Sequence, residues 1–576
     1  MGLVKGERSE SKKFFSDKKF AKTGKKFFTA LYLPKVLQDI GYVTLVVVGY
    51  GYKQVKVKEK SKGDSMINDT TKKTILYNEM SETDRKKYFD YTKHKYIAHI
   101  DTFYYAAYVD EAFCSDWRTD SIFPEVRSLL STLKQLKDTA VKAKQNLPVF
   151  DFLTLCPFRR FSIYSYTLSV KDKFDIFIAD SLPNEKTPPI FIQLRSASLW
   201  LDGVYGSFDM SFDAIKSIFF RFSIEIVKLV ENRVDYAFHT NYIQDIANFF
   251  PVKKVGQMQV SHFEQGNTHF YIYDEDAFTD YFTLGRRKSN NVFFRVYDKT
   301  KEVIEMGYKH FFIPIWYNRG LINAFDYEVL TNCAKMGNDW HNLDRCRALF
   351  YLEHGSDAEL KRSINFLFSQ SEREEISSVE FAALIKGIVP KVTTVCNLEF
   401  QVKRKFFDRL KYDSTATVED IASFESLLCF ESVDPCKGYI YEFLSRTKAI
   451  IDFLTWDTLR FVKYKTKKDL SVPRKKREVA DFWKRLRSCE QLEVLSSDCN
   501  VYRDYQVDID KELVTNKLIS TMATYSAYFS FDDPVAWDAD DVSSDILNHL
   551  NDNDLCDKFT FKSQNKRKEL RKYYNI

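Results

Sequence analysis

Residues 292–297 alternate along the chain. Val292, Phe294 and Val296 fall on one parity, and Phe293, Arg295 and Tyr297 on the other. A period of two is the mark of a strand with two unlike faces. The first set would meet a core and the second would share the opposite face, with Lys299 joining it if the strand runs on. Residues 232–240 alternate in the same way, placing Arg233, Asp235, Ala237 and His239 together and Val234, Tyr236, Phe238 and Thr240 opposite. Strand-like text also occupies 43–58, 150–203 and 258–276, the last as two strands joined around Gln265-Gly266-Asn267. Within 338–355, Arg347, Leu349, Tyr351 and Glu353 would share a further strand face.

Helical spacing predicts other elements. An aromatic stripe of Tyr88, Tyr91, Tyr96, Ile97, Ile100, Phe103 and Tyr104 makes 82–113 a helix, and such a stripe is core rather than a base-stacking platform. Residues 121–146 form a helix with Pro124 in its first turn, and 212–230 a buried helix with few charges. A short helix carrying Glu302 and Glu305 ends near Met306-Gly307. Residues 356–460 are mainly helical, through 378–388, 395–410 and 418–430. Residues 68–81 read as a loop and 310–321 as irregular. Alternating strands in the middle with amphipathic helices outside predict an α+β fold: a largely antiparallel central sheet packed with helices, with mainly helical additions at both ends.

The length of 576 residues allows a substantial core, and 50 Phe with 34 Tyr make it an aromatic one. The ten Cys lie singly, without a CxxC pair or zinc-like spacing, so they are expected to be small buried hydrophobes with reduced thiols. No N-terminal apolar stretch reads as a signal peptide, and the apolar runs at 43–48 and 311–317 are far shorter than a membrane helix needs. The expected location is therefore cytoplasmic, with no membrane partner.

Charge is unevenly placed. Residues 1–36 hold ten Lys or Arg against three acids, which suits either a DNA-contacting arm or a solvated terminus. Residues 463–477 hold eight against one and lead into Phe482-Trp483, a cationic run beside aromatics that suits phosphate contacts or a solvated linker. The tail is acidic over 532–557 and basic over 562–572.

Three candidate chemistries follow. On the first strand a phenol, Tyr297, lies between two cations, Arg295 and Lys299; such neighbours grip a phosphate and favour the ionised nucleophile, although Tyr and Arg are also ordinary on exposed strand faces. On the second, Asp235 and His239 flank a small Ala and leave room for a divalent ion, or Asp235 is simply paired with Arg233. On the third, Glu353 needs a partner, either a metal or Arg347.

The segment Gly285-Arg286-Arg287-Lys288-Ser289 through Val292-Phe293-Phe294-Arg295-Val296-Tyr297-Asp298-Lys299-Thr300-Lys301-Glu302 resembles the G-S-R-x-S…R-[IV]-Y-D-K-x-x-E signature of the Rep-trans family, the replication initiation factors of rolling-circle plasmids and related relaxases of conjugative elements. Arg233-Val234-Asp235-Tyr236-Ala237 resembles its upstream R-[IV]-D-[LY]-A segment, and Leu349-Phe350-Tyr351-Leu352-Glu353 its downstream R-F-E-L-type strand. Leu459-Arg460-Phe461-Val462, the basic run and Phe482-Trp483 resemble its C-terminal region. The resemblance covers roughly residues 150–489. It implies a nicking-joining domain over 147–495, with a helical segment near 356–455, between a basic, partly helical extension (1–146) and an acidic-then-basic tail (496–576).

The resemblance further implies that one DNA strand is nicked at an origin through a covalent 5′-phosphotyrosine at Tyr297. Arg295 and Lys299 would help bind the phosphate. Asp235, Glu353 and His239 would hold Mg2+ or Mn2+, although His239 stands where the family has a second acid. Gly285 is followed by Arg286 rather than Ser. Arg286, Arg287, Lys288, Lys475, Lys476 and Arg477 would contact DNA. The partners implied are a single-stranded or cruciform origin and a separate host helicase, because no G-x-x-x-x-G-K-[ST] loop occurs; a homodimer is left open. Two alternatives stand beside the replication initiator: a non-catalytic origin-binding protein and a relaxase for conjugative transfer.

Overall fold

A computed structural model describes residues 74–90, 95–109, 124–159, 161–180, 187–250, 258–261, 269–270, 281–285, 287, 290–337, 339, 341–414, 434–464, 472–491, 499–503, 511–530, 533, 535, 537–552 and 555–574. The basic arm of 1–36, the strands expected at 43–58, the helix expected at 418–430, and Arg286 and Lys288 lie outside the described residues.

The strands, in chain order, are β1 (Tyr96–Val109), β2 (Leu147–Val149), β3 (Leu153–Leu155), β4 (Tyr164–Val170), β5 (Phe174–Ala179), β6 (Ile190–Leu194), β7 (Ile226–Thr240), β8 (Gln259–Ser261), β9 (His269–Phe270), β10 (Tyr281–Leu284), β11 (Val292–Asp298), β12 (Cys396–Lys403), β13 (Leu410–Ser414), β14 (Leu459–Phe461), β15 (Glu490–Gln491) and β16 (Cys499–Arg503). Eleven of them form one continuous antiparallel path, β2-β3-β4-β5-β6-β1-β7-β12-β11-β10-β9, and β15 pairs in parallel with the start of β1. The α+β class expected from the sequence is the one observed, and helices close the C-terminal end at Lys511–Phe529, Ala539–Asp552 and Cys556–Tyr574.

Several local expectations are corrected. Residues 96–109, read as helix, form the long strand β1 at the middle of the sheet. Its side chains are buried almost throughout, so no polar alternation betrays it. Residues 75–79, read as loop, form a short helix, and 312–318, read as irregular, form another. The buried helix is Val204–Phe220 and stops before 226, where β7 begins. Residues 196–201 are helical rather than strand. The strands at 259–261 and 269–270 do not pair with each other; β8 joins β14 and β9 joins β10. Residues 342–354 form a helix, so the strand face assigned to Glu353 does not exist, and Arg347 pairs with Asp344 at 2.5 Å. Residues 396–403, read as helix, are the strand β12, inserted between β7 and β11.

Two compact units divide the chain: Met1–Glu79 with Ala348–Val389, and Met80–Arg347 with Pro390–Ile576. Among the described residues the first is helical. There Tyr351 donates its hydroxyl to Glu79 at 3.0 Å, and its ring lies where a side chain at Gly355 would have to go. The second unit holds the sheet and is treated next.

On one face of the sheet Phe294 meets Phe400 at 4.7 Å between ring centres, and Trp483 closes over both from the helix Asp481–Arg487. Trp483 is fully buried and gives its indole N–H to the Thr455 carbonyl at 2.7 Å, so its one polar atom is satisfied inside the core. Replacing Trp483 with Ala opens a cavity against β11, β12 and β14 and is expected to cost about 3–5 kcal/mol. Urea denaturation of the purified variant measures it; a loss under about 1 kcal/mol would mean that this face is not the core.

Candidate active site

The opposite face of the same strands is polar. In antiparallel pairing, residues directly opposite one another face the same way. Tyr297 lies opposite Asn397, and Asn397 opposite His239. One step along, Arg295 lies opposite Glu399, and Glu399 opposite Ala237. The next row pairs Gln401 with Asp235, and the one after pairs Lys403 with Arg233. Three strands thus present their polar parity to one surface, while Val296, Leu398 and Phe238, among others, turn to the core.

The junction after Tyr297 explains the spacing Y-D-K-x-x-E. The strand ends at Asp298, whose side chain accepts the Lys301 backbone N–H at 3.0 Å and so caps the helix Lys299–Glu305. Lys299 is therefore not a further strand residue, as the sequence left open. It sits in the first helical turn, fully buried, and its ammonium reaches back to the Tyr297 hydroxyl at 3.3 Å. Glu302, three residues on, pairs with Lys299 at 2.7 Å and with Lys309 at 2.7 Å. Gly285, at the end of β10, has φ +83°, a left-handed conformation open to glycine at little cost. A side chain there would also strike Asn290.

Around the phenol the contacts are dense. Tyr297 donates to Glu399 Oε2 at 3.2 Å and accepts from Asn397 Nδ2 at 2.9 Å. Arg295 holds the other oxygen of Glu399 through Nε at 2.9 Å and Nη2 at 2.6 Å, and its guanidinium lies 4.8 Å from the Tyr297 ring centre. Glu399 itself is fully buried. Burial pushes the Tyr297 phenol well above its ordinary value; the Lys299 ammonium opposes this and the Glu399 charge adds to it. The expectation that flanking cations favour the ionised phenol is thus corrected: burial outweighs Lys299, and the hydroxyl keeps its proton in the hydrogen bond it donates to Glu399.

Asp101 completes the charge balance behind Lys299. It sits at a bulge of β1, between Ile100 and Thr102, and accepts from Ser196 Oγ at 2.7 Å and Trp200 Nε1 at 3.0 Å. Burial alone would raise its carboxyl, but the Lys299 and Lys309 ammoniums hold it well below the usual range. Burial would likewise lower Lys299, and Asp101, Tyr297 and Glu302 keep it far above its ordinary value.

The expected metal ligands divide. Asp235 faces the site but is clamped by Arg233, through Nε at 2.8 Å and a second contact from Nη2. Its carboxyl is raised to about 6, chiefly by burial and further by the Glu399 charge, with Arg233 opposing. His239 is buried in an aromatic box: its ring stacks on Trp200 at 4.6 Å, and its Nδ1 accepts the Trp316 indole N–H at 3.1 Å. Because an indole only donates, Nδ1 bears the lone pair there and the ring proton is on Nε2. Burial, reinforced by Lys299, holds the ring neutral. No lone pair is left for an ion, so His239 is not a ligand in this arrangement. Glu353 lies on a helix with its side chain 69% exposed and belongs to the first unit. The acid that faces Tyr297 is Glu399. Asp235 and Glu399 are each paired with an arginine, and the Gln401 amide oxygen on the same face accepts from Arg287 Nε at 3.2 Å.

Of the expected DNA contacts, Arg287 is exposed and donates Nε to Gln401 Oε1 at 3.2 Å. Lys475 and Lys476 are exposed and Arg477 half-buried, on and after a short turn of helix at Arg474–Lys476. Sequence reasoning missed Glu399, Asn397 and Asp101. A signal for the first two existed: Asn397, Leu398, Glu399, Phe400, Gln401, Val402 and Lys403 alternate polar and apolar without a break. Asp101 had none, being hidden in a stretch that reads as helix.

No family model matches the chain, and no curated protein matches it. Among solved structures it is similar to the rolling circle replication initiator protein from Geobacillus stearothermophilus, with a TM-score of 0.29 and 11% identity, over 68% of this chain and 94% of that one. Among the described residues, no helix is long and apolar enough to cross a membrane.

The raised Asp235 carboxyl has a consequence for stability. The folded chain holds this proton up to about pH 6 and the unfolded chain only to about pH 4, so the folded state binds more protons between these values. Stability from this group is therefore present below pH 4 and lost as pH rises toward 6. Relative to Asp235→Asn, the natural protein should lose on the order of 2–3 kcal/mol across that window. Urea midpoints of both proteins at pH 4, 5 and 6 check the sign, and a flat difference would contradict it.

Proposed function

We propose that this protein nicks one DNA strand and rejoins it through a transient 5′-phosphotyrosine at Tyr297, in the manner of a rolling-circle replication initiator. The observation that carries the reading is the Tyr297 hydroxyl itself, which touches a carboxylate, an amide and an ammonium at once on the polar face of the sheet. The resemblance of 285–302 to the Rep-trans signature supports it, since the Y-D-K-x-x-E spacing builds this very junction.

In the proposed step the phenol oxygen attacks phosphorus in line with the departing sugar oxygen. The phenol proton passes to Glu399 Oε2 as the O–P bond forms. The P–O3′ bond breaks, its electron pair stays on the 3′ oxygen, and that oxygen takes a proton from solvent to become a free hydroxyl. Lys299 stabilises the developing phenolate, and because Asp101 and Glu302 keep it charged inside the fold, it costs no reorganisation at that moment. Arg295, 28% exposed, orients Glu399 and offers its remaining N–H groups to the phosphoryl oxygens. Mg2+ or Mn2+ bound beside the phosphate would supply charge neutralisation there, with Asp235 a ligand only once Arg233 releases it. Reversal by the 3′ hydroxyl restores the strand and the tyrosine.

One observation favours a second reading. Burial disfavours the phenolate, and every carboxylate at the site already has a cation partner, an arrangement that also suits a protein binding an origin without cutting it. The two readings separate on variants. With labelled single-stranded origin oligonucleotides and Mg2+ or Mn2+, the natural protein should give a covalent adduct on a denaturing gel. Tyr297→Phe should give none while still binding DNA, and Glu399→Gln should slow adduct formation about 10²–10⁴-fold. Equal function of Tyr297→Phe and the natural protein in a replication assay would establish the non-catalytic reading instead.

A further inference from the structure

A second cationic site lies on the same sheet face, at β5 and the end of β6, five and four strands from β11. Asp175 on β5 is fully buried, and two guanidiniums converge on it. Arg195 donates Nε to one oxygen at 3.0 Å and Nη2 to the other at 2.8 Å, and Arg159 donates Nη1 at 2.7 Å. Ser169 adds a hydroxyl at 2.5 Å. One arginine would neutralise one carboxylate. The second leaves the cluster with a net positive charge, and its two cations are partly open, Arg195 31% and Arg159 39% exposed. A guanidinium has five N–H donors, so both keep donors to spare after serving Asp175.

Register ties this cluster to the site. Asp175 lies opposite Gln193, Gln193 opposite Tyr104, Tyr104 opposite Arg233, and Arg233 opposite Lys403. This is one unbroken row across β5, β6, β1, β7 and β12, on the face that bears Tyr297. Arg233 lies over the Tyr104 ring, 5.1 Å from its centre, so the row alternates cations with an aromatic surface. Arg195, two residues beyond Gln193, points to the same side. The design at Glu399–Arg295 and Asp235–Arg233 thus recurs: a buried acid beneath a guanidinium that is partly open. An acid so placed fixes the guanidinium without cancelling the second one, and fixed arginines suit phosphates in a defined row.

We propose that Arg195 and Arg159, held on Asp175, bind a backbone phosphate of the single-stranded DNA flanking the bond attacked by Tyr297, the strand running across the sheet from β11 to β6. Those strands are four steps apart, on the order of 19 Å, so the site grips DNA several nucleotides away, on one side of the nick only. The identity of the strand rests on the nicking reading; the phosphate site does not.

Binding of fluorescent single-stranded oligonucleotides is measured by anisotropy as a function of salt, with covalent adduct scored separately on gels. Each single variant, Arg195→Gln or Arg159→Gln, leaves Asp175 one arginine, so folding is retained and is checked by thermal melting. Each should weaken binding about tenfold and lower the log–log salt slope by roughly 0.7. Lys142→Gln, on the exposed surface of the helix Pro124–Ala143, should change neither. Oligonucleotides truncated on one side of the nick should bind the natural protein and the variants alike, whereas truncation on the other side should preserve the difference. Unaltered affinity and slope in both arginine variants would overturn the phosphate site even if the adduct forms. Absence of adduct with the arginine effects intact would overturn nicking and leave the site standing. An effect insensitive to which side is truncated would overturn the proposed path of the strand.

Discussion

A carboxylate carried into the interior of a fold costs several kcal/mol unless a cation meets it there, and removing one partner of such a pair is worse than never having had it. Glu399 is the acid around which this protein meets that constraint. It is sealed on the inner strand β12, with Arg295 on one oxygen and the Tyr297 hydroxyl with the Asn397 amide on the other. Those partners must come from β11 and from β12 itself in one register, because a slip of one residue would turn Glu399 into the aromatic core and Phe400 out of it. The charge and the sheet alignment therefore enforce each other.

The same logic extends outward. Lys299 is as deeply buried as Glu399, and it is kept charged by Asp101 from β1 and Glu302 from its own helix. Asp101 is in turn held by Ser196 and Trp200, and the Trp200 ring stacks on His239, whose lone pair is occupied by Trp316. A chain of polar contacts so ties the strands to the helices Ser196–Leu201 and Phe312–Asn318 that cover one end of the face. The opposite end is the row of partly open arginines. One end is closed over by those helices; at the other, Arg195 and Arg159 remain partly open.

The legible parts of the site were those with a local signature. Tyr297 and Arg295 stood out because β11 has one polar face and one apolar face, and Arg233 and Asp235 because β7 does. The ion pair between those two was one of the alternatives their spacing allowed, and it is the one found. The parts that were misread failed for a physical reason. Leu349, Tyr351 and Glu353 alternate over too short a run to separate a strand from a helix, and a thirteen-residue helix formed there. β1 is buried on both faces, so its hydrophobicity has no period at all.

By itself the sequence determined the parity of side chains on β7 and β11 and the nearness of Lys299 to the phenol; the alternation of β12 was present in it but read as helix, and the cap at Asp298 was not read. These depend on residues within a few positions of one another, whose geometry is set by backbone periodicity. Only the tertiary structure decided which acid meets Tyr297, that His239 is spent on an indole, and that Asp101 sustains the charge of Lys299. Those partners lie 77 to 198 residues apart in the chain. The unbroken alternation around Glu399 marks a strand where the short run at Glu353 does not, but only strand order brings Glu399 into the register where its buried charge is answered.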